Sequence, residues 1–448
     1  MPKKPSTITA TEDHLKTLVT GILAEATRQG ATAADAGIGT NSGLSVSVRL
    51  GNVETIEHIR DRGLGVTVYF GQKKGSASTT DFSPDAIGET VRAACAIARY
   101  TSEDDCAGLA DPERMAINMP DLDLYHAWEL EPEKAIAIAL STESAARDFD
   151  GRISNSDGAT VNWHEGTHVY GNTHGFLGAQ SGTRHGISCA VIAGTGTGMQ
   201  RDGWHTSARD PDDLEDAVQV GMESGKRAVA RLNARQISTR TAPVLFQAEV
   251  ATGLFGHFLA AIRGGNLYRR SSFLLDHLGK RVFPESIRIH EQPHRPKGNG
   301  STPFDNEGVA TEARNVVTGG ILEGYMLSSY SARKLGLQTT GNAGGAHNLT
   351  VEPGNKDFST LLRDMGTGLL ITELMGQGVN IVTGDYSRGA TGFWVEGGEI
   401  AFPVQEITIA GNLKDLFLAI RDVGNDVEKR GNIRTGSVLI GEMMIAGG

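Results

Sequence analysis

Leu44-Ser45-Val46-Ser47-Val48-Arg49-Leu50, closed by Gly51-Asn52, decides the fold class. Apolar and polar residues alternate strictly, the period of a strand with one buried face. Working outward, a second strand is expected over 63–70, with Gly71-Gln-Lys-Lys-Gly75 as its turn. Upstream, Leu15, Leu18, Val19, Ile22, Leu23 and Ala26 form a helical stripe that Thr11 can cap. Ser83-Pro84 starts a second helix by a cap followed by proline in the first turn. A third helix is expected over 132–148, glycine-interrupted strands over 159–193, and a helix from Asp210-Pro211 to about residue 233.

The polar, unpatterned stretch 233–243 marks a boundary. Beyond it we expect a strand at 244–250, a helical run near 251–262 and strands around 286–290, 312–317 and 321–329. A short helix near 357–364, strands at 391–396, 399–402 and 405–410, a helix at 413–421 and a last strand at 435–446 complete the pattern. The expected architecture is α+β in two domains with mainly antiparallel sheets. Residues 1–10 form a flexible tail, 11–235 an N-terminal α+β domain and 243–448 a glycine-rich, strand-dominated C-terminal domain.

Glycine supplies 58 of 448 residues, against a usual share of roughly 7%. With 14 prolines and no low-complexity tract, neither collagen nor a linker explains the excess, and many short strands and turns do. The net charge of -11 weighs against direct nucleic-acid binding, which needs a basic footprint. Cys95, Cys106 and Cys189 form no disulfide framework. No apolar run approaches the roughly 18 residues of a membrane span. The expectation is a cytoplasmic protein with no membrane partner.

His-Glu-x-x-His occurs twice, at His164–His168 and His290–His294. On a helix this spacing prepares two imidazoles for zinc. Around His164 the residues suit a strand, where positions i and i+4 lie about 13 Å apart, too far for one ion. At His290, Pro293 would interrupt the required helix. Gly194-Thr-Gly-Thr-Gly198 lacks the third glycine and the helix of a dinucleotide loop. Gly221-Met-Glu-Ser-Gly225-Lys226 is one residue short of a phosphate loop and lies inside a helix. Gly186-Ile-Ser188-Cys-Ala190 lacks the second glycine of a nucleophile elbow. No self-contained catalytic constellation stands out.

Pro303-Phe-Asp305-Asn-Glu307-Gly308, Thr340-Gly341-Asn342, and Gly384-Asp385-Tyr-Ser387-Arg388-Gly389-Ala-Thr-Gly392-Phe393-Trp394 are similar to the PmbA/TldE branch of the TldD/PmbA family. Arg314-Asn-Val-Val, Leu322-Glu-Gly324-Tyr325, Asn155-Ser-Asp-Gly158 and Tyr170-Gly171-Asn172 extend the resemblance over nearly the whole chain. It marks Asp305, Glu307, Asn342, Asp385, Ser387, Arg388, Gly389 and Trp394 as family-motif residues without assigning them roles.

The resemblance implies a two-subunit cytoplasmic peptidase in which a TldD-type subunit binds the metal, zinc, through a helical His-Glu-x-x-x-His motif and a late cysteine. Here the corresponding helix holds His257 alone; Phe258 and Ile262 stand where Glu and the second His would follow. Catalytic zinc usually takes three protein ligands, so we expect no metal, no cofactor and no catalytic residue in this chain; His257 is the only remnant candidate, and it reads as a packed or surface helix residue rather than a ligand.

The implied role is a non-catalytic partner of the TldD-type subunit, helping to hold unfolded or leader-like peptides as added strands. Isolated, such a chain is expected to pair with itself as a homodimer. Two alternatives stay open. One is a metallopeptidase using His164, His168, His290 or His294; the other is a regulatory binding protein linked to DNA gyrase.

Overall fold

In a computed structural model, which describes residues 6–447, residues 44–49 of the alternating stretch end a 17-residue strand, while Leu50, expected to continue it, is exposed in the turn beyond with a φ of 51°. Helix α1 (Ser6–Arg28) precedes β1 (Ala33–Arg49), β2 (Asn52–Phe70) and β3 (Lys73–Thr79). Then come α2 (Pro84–Tyr100), α3 (Pro132–Arg147), β4 (Ile153–Asn172), β5 (Leu177–Ala193), β6 (Gln200–Ala208) and α4 (Ala217–Ala230). The six strands make one antiparallel sheet in the order β3-β2-β1-β4-β5-β6.

Along β1 the buried set Leu44, Val46 and Val48 continues backwards through Ile38, Ala36 and Ala34. Period 2 puts all six on one face. Helices α1 and α2 pack over its early part and α3 and α4 over its late part. On the opposite face Gly37 and Gly39 lie across from Gly65 and Gly63. Those glycines hid the first half of the strand from the apolar pattern.

Two expectations need correction here. Helix α1 begins at Ser6 and not at Thr11, because Ile8 is already buried; of the expected tail, residues 1–5 lie outside the described residues. Asp210-Pro211 opens only one 3-10 turn (Pro211–Asp213), since Leu214 is extended; α4 starts later, where the Asp216 carboxylate accepts the N–H groups of Val218 and Gln219. The phosphate-loop-like glycines serve packing: a Cβ on Gly221 would strike the Thr142 carbonyl of α3, and one on Gly225 would lie 2.7 Å from the Ala146 carbonyl.

In the second half, β7 (Arg240–Phe246) leads into α5 (Ala248–Ile262) and α6 (Gly264–Tyr268). Next come β8 (Ile289–Glu291), β9 (Arg314–Thr318), β10 (Ile321–Leu322), α7 (Ser329–Leu335) and β11 (Leu349–Val351). The chain continues through α8 (Phe358–Met365), β12 (Gly368–Met375), β13 (Asp385–Glu396), β14 (Glu399–Asn412) and α9 (Leu413–Leu418). It ends with β15 (Ile420–Val423), β16 (Ile433–Arg434) and β17 (Val438–Ala446).

The strand expected over 321–329 is only two residues long; the chain turns away after Leu322 because the next residues build the approach to α7, capped reciprocally by Ser328 and Ser331. One sheet runs β14-β13-β12-β7-β17-β15 and a smaller one β10-β9-β8-β11-β16. Pairing is antiparallel except between β7 and β12 and between β11 and β16. Helix α5 is the apolar centre of this half: Leu254, Phe255, Phe258 and Ile262 are fully buried. Phe258 meets Phe283 edge-on at 5.0 Å, and Phe283 packs on Phe417 at 4.9 Å.

Candidate functional site

The family-motif residues gather on two sides of α5. On one side lies a cavity of about 610 Å³ walled by the α5–α6 junction, the start of α7 and the loop 342–346. The junction is fixed by backbone bonds from Gly264 N to the Met326 carbonyl (2.8 Å) and from Met326 N to the Ile262 carbonyl (3.0 Å). Gly264 has to be glycine there, because a Cβ would strike the Ser331 hydroxyl of α7.

A buried polar network holds the loop. The Asn342 amide donates to Glu291 Oε1 (2.9 Å) and to the Gly345 carbonyl (3.0 Å). Arg314 donates Nε to Glu291 Oε2 (2.8 Å) and Nη2 to Asn342 Oδ1 (2.9 Å). Glu291 is 2% exposed, a burial tolerable for a carboxylate only when it is paired and bonded. It also accepts the His347 N–H at 2.8 Å.

Asp305 and Glu307 tie the turn between them to both cavity walls. Asp305 accepts the N–H groups of Glu307 (2.9 Å) and Val309 (3.0 Å) with one oxygen and that of Ala343 (2.9 Å) with the other. Glu307 accepts the N–H of Ser329 at 2.8 Å. Burial, with Glu307 nearby, pushes the Asp305 carboxyl up to about 7 against the pull of its N–H donors. Asp35, on β1, is raised to about 7 by burial, against the pull of Lys74 and with a smaller push from Glu307.

On the other side of α5, His257 meets Tyr386 of β13 edge-on, ring centroids 6.0 Å apart. His257 Nε2 and the Tyr386 hydroxyl are buried without hydrogen-bond partners among the described residues. Burial, then the charge of Arg388, lowers the His257 pKa, so the ring stays neutral. Around Tyr386, Asp385 accepts the Thr383 hydroxyl (2.6 Å) and Ser387 N donates to the Gly378 carbonyl (2.7 Å). Arg388 reaches the Met375 carbonyl (3.4 Å), and Gly389 pairs with Met375 across the sheet. Trp394 lies farther along β13, buried under the Arg240 guanidinium at 4.9 Å.

The histidines of the two His-Glu-x-x-His matches are not brought together. His164 and His168 lie on β4 opposite Gly43 and Gly39. His290 faces Glu352 at 3.6 Å, and His294 bonds the Thr311 hydroxyl at 3.2 Å. The Glu of the second match is Glu291, whose partners are Arg314 and Asn342.

The donor set does not fit a catalytic metal. His257 is one ligand, while Phe258 and Ile262 are turned into the core with 0% exposure. Among the described residues no three His, Cys, Asp or Glu side chains are placed to hold an ion. No helix among them is long and apolar enough to cross a membrane.

The chain matches three parts of one family in order: the PmbA/TldA metallopeptidase domain 1 over 34–98, its central domain over 125–232 and its C-terminal domain over 239–447. It is 53% identical to Metalloprotease PmbA of Escherichia coli O157:H7 over 414 residues, 92% of each chain. It is 51% identical to the Metalloprotease PmbA homolog of Haemophilus influenzae over 439 residues, covering 98% of this chain and 97% of that one. A Bacteroides thetaiotaomicron protein proposed as a modulator of DNA gyrase superposes with a TM-score of 0.92 at 27% identity, over 97% of this chain and 99% of that one. TldE from Thermococcus kodakarensis shares the fold, with a TM-score of 0.85 at 18% identity over 96% of this chain and all of that one.

Proposed function

This chain belongs to the PmbA/TldA metallopeptidase family, and on that premise we propose that it is the non-catalytic partner of a TldD-type subunit that carries the metal. One observation carries this reading: α5 offers His257 alone, and the positions that would complete a metal site are core residues. A metal-activated water and its base then come from the other subunit, with zinc as the metal. Here Asp305, Glu307 and the Glu291–Arg314–Asn342 network keep a cavity open beside the same helix. Their task is to position an extended, unfolded or leader-like peptide in the cytoplasm.

Strand addition suits such substrates, since main-chain bonds do not depend on side-chain sequence. A free edge supports this role: β3 pairs only with Leu64–Phe70, leaving residues 52–63 of β2 without an outer neighbour among the described residues. The same edge favours self-pairing as a homodimer when the partner subunit is missing.

Metal analysis of the purified chain tests the proposal. It predicts substoichiometric zinc, unchanged when His164, His168, His290 and His294 are replaced together. Tightly bound stoichiometric zinc that is lost in that variant would establish a metallopeptidase site in this chain and end the partner reading.

A further inference from the structure

We propose that the cavity beside α5 captures the free C-terminal carboxylate of a peptide through Arg263 and Arg269; the inference rests on the peptide-holding role above. In a chain of net charge -11, the residues lining this cavity include no Asp or Glu, yet they include both arginines. Neighbouring cations are neutralised: Arg333 by Asp111 at 2.8 Å, Lys334 by Asp104 at 2.7 Å and Arg314 by Glu291 at 2.8 Å. Arg263 and Arg269 have no carboxylate partner among the described residues. Arg269 is instead stacked over its neighbour Tyr268 at 5.0 Å, and Tyr268 is braced edge-on by Tyr330 at 5.7 Å. A stacked guanidinium is held in direction while its donors stay free.

The loop 342–346 lines the same cavity. Gly344 and Gly345 take φ values of 110° and 133°, conformations that side chains disfavour. Both glycines line the cavity, and the N–H groups of Gly344 and Ala346 have no acceptor among the described residues. Two guanidinium forks at a space lined by no carboxylate match a planar anion with two oxygens. At about 610 Å³ the cavity admits the last few residues of a chain as well as their terminus. Anchoring by the terminus would leave the identity of those residues little constrained, in keeping with an unfolded substrate.

The test is calorimetric titration of the full chain with three N-acetylated tetra-alanine-type peptides: the free acid, its C-terminal amide, and an amide with one internal Glu. The free acid should bind roughly tenfold or more tighter than the plain amide, the scale of a lost hydrogen bond to a charged group. The R263Q/R269Q variant should lose that preference, and R263K/R269K should keep part of it. Equal affinity of acid and amide, absence of binding by either, or a preference that survives in R263Q/R269Q would each overturn the proposal. If the Glu-bearing amide equals the free acid, the cavity reads side-chain carboxylates and the terminal assignment fails. The comparison of acid and amide on the unaltered chain needs no variant to fold. Peptide cleavage with the TldD-type subunit added is a separate readout: cleavage without acid preference defeats this inference alone, and acid preference without cleavage defeats the partner reading alone.

Discussion

The Asn342 amide donates to Glu291 across 2.9 Å, joining the floor of the cavity loop to a carboxylate that Arg314 already holds. Removing one member of a buried charged pair typically costs about 3–5 kcal/mol, because the other charge is left unpaired; Asn342→Ala gives up bonds to Glu291, Arg314, Thr340 and the Gly345 carbonyl but leaves the Glu291–Arg314 pair intact. Glu291→Ala should therefore destabilise the chain more than Asn342→Ala, by urea unfolding. The double variant should fall short of the sum, because the two residues share one network. Strict additivity would show that the loop is held by something else.

The helix α5 resists conversion into a metal site. Phe258→Glu with Ile262→His completes a His-Glu-x-x-x-His pattern from His257, but puts both into a core where the native side chains have 0% exposure. The variant should lose about 4 kcal/mol or more of stability and gain no tight zinc. A well-folded variant with stoichiometric zinc would mean that α5 can turn its ligand positions outward.

Gly221→Ala should destabilise, although Ala in an exposed helix interior normally stabilises by about 1 kcal/mol over Gly. The added Cβ would strike the Thr142 carbonyl, separating α3 from α4 at a cost of about 1–3 kcal/mol. Thermal unfolding of G221A beside wild type decides the sign.

Asp35 makes stability depend on pH. Its folded-state pKa of about 7 lies above the ordinary value, so the folded chain holds this proton more tightly than the unfolded chain. The resulting stabilisation is complete below about pH 4 and is lost as pH rises through 7. Asp305 acts in the same direction. Asp35→Asn should flatten the decline in melting temperature between pH 5 and 8. It should also raise the value at pH 8 by roughly 2–4 °C. An unchanged slope would remove Asp35 from the account.

Local patterns in the sequence revealed local structure. The alternation over 44–50 and the stripe from Leu15 to Ala26 found their strand and helix because each period reports directly on one buried face. The first half of β1 was hidden because glycines replace its polar alternation, and α4 was placed too early because a proline turn imitates a helix start. The site was legible only as a set of motif residues. That Asp305 bonds Ala343, or that His257 meets Tyr386, depends on segments far apart in the chain, and no spacing within one segment encodes such contacts. Glu291 shows the hazard most clearly: it stood inside a metal-like motif, and folding gives it to Arg314 and Asn342.

The central claim is that this chain contributes to peptide cleavage without a catalytic centre of its own, and reconstitution tests it most directly. Cleavage of an unfolded peptide should be measured with the pure chain, with the TldD-type protein of the same organism, and with the two together. The account predicts no turnover by this chain alone and strong cleavage by the mixture. Full activity of the chain alone, in a sample verified free of any TldD-type protein, would contradict it.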